Sequence, residues 1–209
     1  MGRLLNGPNG YIQGKVGTLI GSSRNGIPYV KGPYKSRTKV VSDKELANRK
    51  KFAAAQKWLA PLLEFVRVGF RGYSQRAQGF VVAKSWLLKN AITGEGANLM
   101  IDPALVKVSA GDLPNPKTIT VILTETAGLQ FTWDTANDGS GNYDQIMMLA
   151  YDVEKGIAFY KTTGQFRSTG TDVLQLEPEK ISRVHVYAAF NAADRSRQSD
   201  SIYLGEWKL

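Results

Sequence analysis

The chain has 209 residues and no cysteine, which excludes disulfide staples, thiolate metal sites and a cysteine nucleophile. Histidine is nearly missing as well, His185 being the only one. It stands among Val184, Val186 and Tyr187 with no serine or cysteine arrangement to serve. It therefore reads as a surface residue of a strand rather than a general base. No apolar run is long enough to cross a bilayer, and Met1 to Gly10 lacks an apolar stretch of signal-peptide length. The expectation is a protein made without a Sec signal, cytoplasmic or virion-associated, with no membrane insertion. Acid is scarce in the first part of the chain: residues 1–41 hold none, and residues 1–92 hold only Asp43, Glu45 and Glu64.

What is present is charge of the other sign, divided along the chain. Residues 1–92 carry 17 Lys and Arg, for a net of +14, whereas residues 93–209 carry 10 against 15 acids, for a net of −5. A basic half joined to an acidic half binds a polyanion through one end, or binds copies of itself head to tail. Residues 1–41 are rich in glycine and interrupted by Pro8, Pro28 and Pro33, with apolar residues interleaved among seven cations. A helix is excluded there. Short extended strands and tight turns are expected, with Asn9-Gly10 and Asn25-Gly26 as hairpin signals. Taken as one piece, the segment is an extended basic arm that packs on a neighbouring subunit, or on the chain's own strand-rich half, as an added strand.

Two ligand-binding patterns fail on inspection. Gly14-Lys15 offers the glycine-lysine pair of a phosphate loop, but Asn9 stands where the first glycine belongs and Val16 where Ser or Thr belongs. The acidic stretch Asp134 to Asn142 has the look of a calcium loop, yet Ala136 occupies a ligand position and Gln145 replaces the bidentate glutamate. Glu177 and Glu179 flank Pro178 in a turn-like segment without an evident cleft. No cofactor, metal or catalytic residue is assigned, and the chain reads as a non-enzyme.

Residues 42–92 have the helical period. Ser42-Asp43-Lys44-Glu45 is a capping box that opens a helix running to about Val68, with a kink or break expected at Pro61. Phe52, Ala55, Leu59, Leu62, Leu63 and Val66 recur at spacings of three and four. A second helix is expected from about Ser74 to Asn90, stopped by Thr93-Gly94. A pair this small must bury its remaining apolar face on the C-terminal region or on another subunit. Arg49, Lys50, Lys51, Arg67 and Arg71, with Trp58 nearby, are the candidate nucleic-acid contacts; the alternative is a solvated basic face whose Trp58 belongs to the core.

From residue 98 the period becomes two. Val106 to Val108, Ile119 to Leu123, Leu129 to Trp133, Ile146 to Val153, Ile157 to Tyr160, Val173 to Leu176, Val184 to Phe190 and Ser201 to Trp207 read as strands. Spacing of this kind fits two packed antiparallel sheets. Phe131-Thr132-Trp133 and Val184 to Phe190, followed by Arg195 to Ser199, resemble the central and penultimate strands of a fibronectin type III or immunoglobulin-like domain over residues 98–209. The fold class is accordingly α+β: a glycine-rich N-terminal arm (1–41), a two-helix segment (42–92) and a C-terminal antiparallel β-sandwich (98–209). Met1 to Gly7, Gly14 to Gly17, Gly21 to Ser23 and Arg49 to Leu63 resemble, end to end, a family of uncharacterised proteins of similar length from Bacteroidota. That resemblance implies no activity.

The function expected from these features is structural: a protein that self-assembles when the basic arm and helices of one copy dock on the acidic sandwich of the next, as a filament, ring or phage-like shell. The assembly contacts are expected from Tyr11, Ile12, Lys15, Ile20, Arg24, Tyr29, Tyr34, Lys35, Arg37 and Lys39. The partners are the protein itself and, in the alternative reading, nucleic acid or another polyanion bound without sequence preference. A third reading is a surface or carbohydrate-binding module using Trp133, Tyr143, Tyr151 or Trp207, which compete with core roles for those aromatics.

Overall fold

The computed structural model describes residues 2–6, 10–24, 26–36, 38, 40–73, 78–95, 98–125, 127–135 and 141–209. The chain divides into two compact units, Met1–Ser42 and Asp43–Leu209. In the first, the glycine-rich segment folds back on itself as a four-stranded antiparallel meander. Its strands are β1 (Arg3–Leu4), β2 (Ile12–Val16), β3 (Leu19–Arg24) and β4 (Ile27–Lys31), adjacent in chain order. The expectation of one extended arm is corrected here, because the strands take their partners from within the segment. Val16 pairs with Leu19 across a two-residue turn in which Gly17 has φ +57°, a conformation that a side chain disfavours. Arg24 pairs with Ile27 at the Asn25-Gly26 signal, although Asn25, like Asn9, lies outside the described residues.

The second unit opens with α1 (Asp43–Leu59), a 3-10 turn at Ala60–Leu62 and α2 (Leu63–Gly69). Pro61 sits inside that turn, so the break falls where a missing N–H predicts it. The next helix, α3 (Gly79–Asn90), begins later than the expected Ser74. Residues 74–77 lie outside the described residues, and Gln78 is extended at ψ 151° immediately before the helix. A short ribbon follows, β5 (Ile92–Thr93) paired with β6 (Met100–Ile101).

Seven further strands form two antiparallel sheets. They are β7 (Ile119–Leu123), β8 (Gly128–Trp133), β9 (Gln145–Asp152), β10 (Ile157–Lys161), β11 (Thr171–Gln175), β12 (Arg183–Asn191) and β13 (Ile202–Lys208). One sheet has the order β10-β9-β12-β13 and the other β11-β8-β7. Strand β9 is buried along almost its whole length, and its alternate residues enter different cores. Met147, Leu149 and Tyr151 join Trp58, Leu59, Phe65 and Leu87 of the helices, whereas Ile146, Met148 and Ala150 join Phe131 and Trp133 of β8 and Leu174 of β11. Strand β12 divides in the same way, Tyr187 and Ala189 to the helical side and Val186, Ala188 and Phe190 to the other. The apolar face of the helices is thus buried within the chain, and the helices share one compact unit with the strands.

One expected strand is missing. Val106 and Val108 are buried in alternation, but residues 106–115 belong to no named strand. Their backbone groups are taken by other partners: Val108 N donates to Ser201 Oγ, Ala110 N to the Gly69 carbonyl, and Ser201 N to the Ser109 carbonyl. Ser109 Oγ contacts the Gly69 and Ser199 carbonyls at 3.0 and 2.7 Å. Gln198 Nε2 bridges the carbonyls of Arg71 and Ala110 at 2.8 and 2.9 Å. The approach is close enough that a Cβ on Gly111 would stand 2.0 Å from the Gln198 carbonyl. The protein is mixed, with helices and several antiparallel sheets and strand predominating.

Candidate interaction surfaces and pockets

Opposed residues of an antiparallel pair share a face and successive residues alternate, so register sorts the side chains of the N-terminal sheet. Ile20 opposes both Lys15 and Lys31, Ser22 opposes Tyr29, and Arg24 opposes Ile27. These pairs place Lys15, Ile20, Arg24, Tyr29 and Lys31 on one face. The other face carries Val16 opposite Leu19 and Gly21 opposite Val30. Only Gly21 is buried among the described residues of this unit. Leu4, Val16, Leu19, Ile27 and Val30 are exposed by between 46% and 71%. The sheet therefore has one cationic face with an aromatic ring, one uncharged apolar face and, among the described residues, no core of its own.

Of the expected assembly residues, Lys15, Ile20, Arg24 and Tyr29 come together on the cationic face. Ile12 opposes Leu4 at the β1 edge, and the Tyr11 carbonyl accepts from Leu5 N. Tyr34 and Lys35 follow β4 and are exposed; Arg37 and Lys39 lie outside the described residues. Lys31 is a member that sequence reading missed. Its Nζ donates to Tyr34 Oη at 3.0 Å and stands 4.7 Å from that ring's centroid. The hydrogen bond, then the charge, hold Lys31 above and Tyr34 below their ordinary values. The signal was available: a two-residue turn at Asn25-Gly26 fixes Lys31 opposite Ile20.

The helical cations do not form one patch with Trp58. Trp58 is buried, edge-on to Tyr151 with centroids 5.0 Å apart. Arg49 donates to Glu45 at 2.7 Å and Arg67 to Glu64 at 2.6 Å, both exposed pairs within a helix; Lys50 is exposed. Lys51 lines a groove between α1 and α3 with Phe52, Val81 and Lys84, and Arg67 lines a separate hollow with Leu63 and Phe80. Arg71 opens onto a cleft of about 530 Å³ with Tyr73, Trp86, Lys107 and Arg197. In that cleft Lys107 Nζ lies 2.6 Å from Asp200 Oδ2 and 4.6 Å from the Trp86 ring, and Arg197 faces Asp112 at 3.5 Å.

A second pocket, of about 580 Å³, lies where α1 meets the end of β9. Trp58, Pro61, Ile101, Tyr151 and Val153 line it, with Lys57 and Lys155 among its charged groups. Trp58 Nε1 is buried without a hydrogen-bond partner among the described residues. Tyr151 is also buried, and no partner for its hydroxyl occurs among them. Burial, with the charge of Asp152 beside it, pushes the Tyr151 hydroxyl up to about 12.

His185 is half-buried, its Nδ1 3.0 Å from Tyr203 Oη. Burial depresses its pKa against the opposing pull of Glu206. Gln145, at the calcium-loop position, is committed to the Gly164 carbonyl at 3.1 Å and to Arg195. Residues 136–140 of that loop lie outside the described residues. No group of three or more His, Asp or Glu in a metal-binding arrangement occurs among the described residues. Glu177 pairs with Lys180, and Glu179 is exposed. Trp133 is buried and its Nε1 donates to the Arg167 carbonyl at 2.8 Å; Trp207 donates to the Leu204 carbonyl at 3.3 Å. Tyr143 is exposed, edge-on to Phe166. No helix of the described residues is long and apolar enough to cross a membrane.

A family model described as a family of unknown function (DUF6266) matches residues 11–205. No curated protein and no solved structure matches the chain.

Proposed function

This chain belongs to the DUF6266 family, and we propose that it is a non-enzymatic structural protein that self-assembles through its basic N-terminal unit. The cationic face of the N-terminal sheet meets the acidic strand-rich part of a neighbouring copy, a heterologous contact that closes into a ring or runs on as a filament or shell. The observation that carries this reading is a sheet whose strands hold Arg3, Lys15, Arg24 and Lys31, no acid and exposed apolar side chains, joined to a unit that holds both hydrophobic cores. An isolated sheet of this kind gains little stability alone and gains more by covering its surface with a partner. The proposed setting is cytoplasmic or virion-associated, and the relatives proposed are the uncharacterised proteins of Bacteroidota.

A fibronectin type III or immunoglobulin-like sandwich is the arrangement we propose for the sheets β10-β9-β12-β13 and β11-β8-β7. Its support is a shared core drawn from both sheets, and a chain path that makes hairpin β7-β8 in one, hairpin β9-β10 in the other, returns with β11 and ends with β12-β13.

Light scattering tests the assembly. Nuclease-treated full-length protein is expected to form large species at low salt that shrink as salt is raised, and residues 43–209 are expected to be monomeric. Monomers in both cases would defeat self-assembly. A second reading, binding of nucleic acid without sequence preference, is favoured by Lys15, Arg24 and Lys31 sharing a face with Tyr29. It predicts a steep loss of affinity for single-stranded oligonucleotides with salt.

A further inference from the structure

We infer that the pocket between α1 and the end of β9 binds a small apolar carboxylate. The site lies in the second unit and is independent of the N-terminal sheet. The side chains of Trp58 and Tyr151 line it, each more than nine-tenths buried; the Trp58 indole N–H is a buried donor without an acceptor among the described residues, and the Tyr151 hydroxyl has none among them either. An unpaired buried donor is costly, so a chain that keeps one beside this pocket, next to a hydroxyl without a protein partner, gains from a ligand that supplies oxygen atoms. The remaining wall is apolar, from Pro61, Ile101 and Val153, and the volume of about 580 Å³ suits a small organic molecule.

The charges choose between a neutral acceptor and an anion. Glu154, also at this pocket, is already paired with Arg183. Lys57 and Lys155 are exposed, and neither ammonium group has a carboxylate partner among the described residues. An anion with an apolar tail therefore meets two cations and two unpaired donors, whereas an alcohol of the same tail meets only the donors. Tyr151 donates rather than ionises here, since burial holds its proton far above neutral pH. The edge-on contact between the Trp58 and Tyr151 rings fixes both in place before any ligand arrives.

Octanoate is the probe, with 1-octanol as its neutral counterpart, titrated by calorimetry into the full chain. Saturable one-to-one binding of octanoate, tighter than that of octanol and weakened by salt, is expected. Tyr151→Phe and Trp58→Phe are each expected to weaken it about tenfold, the size of one lost hydrogen bond to a charged group. Tyr151→Phe keeps the aromatic ring and removes a hydroxyl that has no partner among the described residues, so its melting temperature without ligand is expected not to fall. Loss of the octanoate-induced thermal shift in a variant that folds as well as the parent marks a binding role. Absence of saturable binding up to about millimolar octanoate, or affinities unchanged in both variants, would overturn the assignment.

Discussion

His185 shows how little one residue type reveals by its rarity. Its ring lies half-buried against Tyr203, with Glu206, Arg183, Asp152 and Asp102 as the charges that act on it, and burial is the largest influence. The folded pKa is therefore below the ordinary 6.5. The unfolded chain binds the proton more readily in the interval between the two values. Stability from this group is fully present above about pH 6.5 and is lost as pH falls through the depressed folded value. His185→Gln is expected to flatten the acid side of the melting-temperature profile below about pH 6.5. A parent and variant with parallel profiles there would show that other groups dominate.

At the scale of elements, the stretch from Val106 to Asn115 marks where sequence pattern stops being sufficient. Alternation reports which side chains are buried, and Val106 and Val108 are buried as it indicates. It does not report where backbone donors go, and here they go to Gly69 and Ser201 instead of a ladder. The other seven strands, β9 apart, were legible because alternation and turn residues agreed. Strand β9 lacks polar alternation because it is covered on both faces, and only its length marks it out. The α1 break was legible from Pro61, while the start of α3 was not, since no capping residue stands at Gln78. The cationic face of the N-terminal sheet was half legible: the residues were named, but assigning them to faces required register. The Trp58 and Tyr151 pocket was not legible, because its two donors lie far apart in sequence and only packing unites them. The junction at residues 106–115 gives a prediction of its own. Gln198→Ala removes the donor to the Arg71 and Ala110 carbonyls, and denaturant unfolding is expected to show a loss of about 2 kcal/mol. A change below about 0.5 kcal/mol, the usual scatter of surface substitutions, would mean that the junction is held by its other bonds.

For the whole molecule, the charge division shifts when structure replaces sequence as the boundary. Met1–Ser42 carries seven cations and no acid, which is +7 of the total +9, so Asp43–Leu209 is left at +2. The helical cations that made the first 92 residues so basic are thus offset within their own unit by the acids of the strands. Long-range attraction between copies then depends on the N-terminal unit meeting a locally acidic part of its neighbour, since the larger unit as a whole is close to neutral. Removing residues 1–42 separates two ways of covering the exposed apolar residues of the sheet. Both hydrophobic cores lie in residues 43–209, so a sheet that docks only on other copies adds nothing to the thermal stability of a dilute monomer. Calorimetry of the truncated chain at low concentration is then expected to give one cooperative transition with a melting temperature unchanged to within about 2 °C. A drop of several degrees would mean that the sheet packs on the chain that carries it, and assembly through an exchanged N-terminal unit would lose its basis.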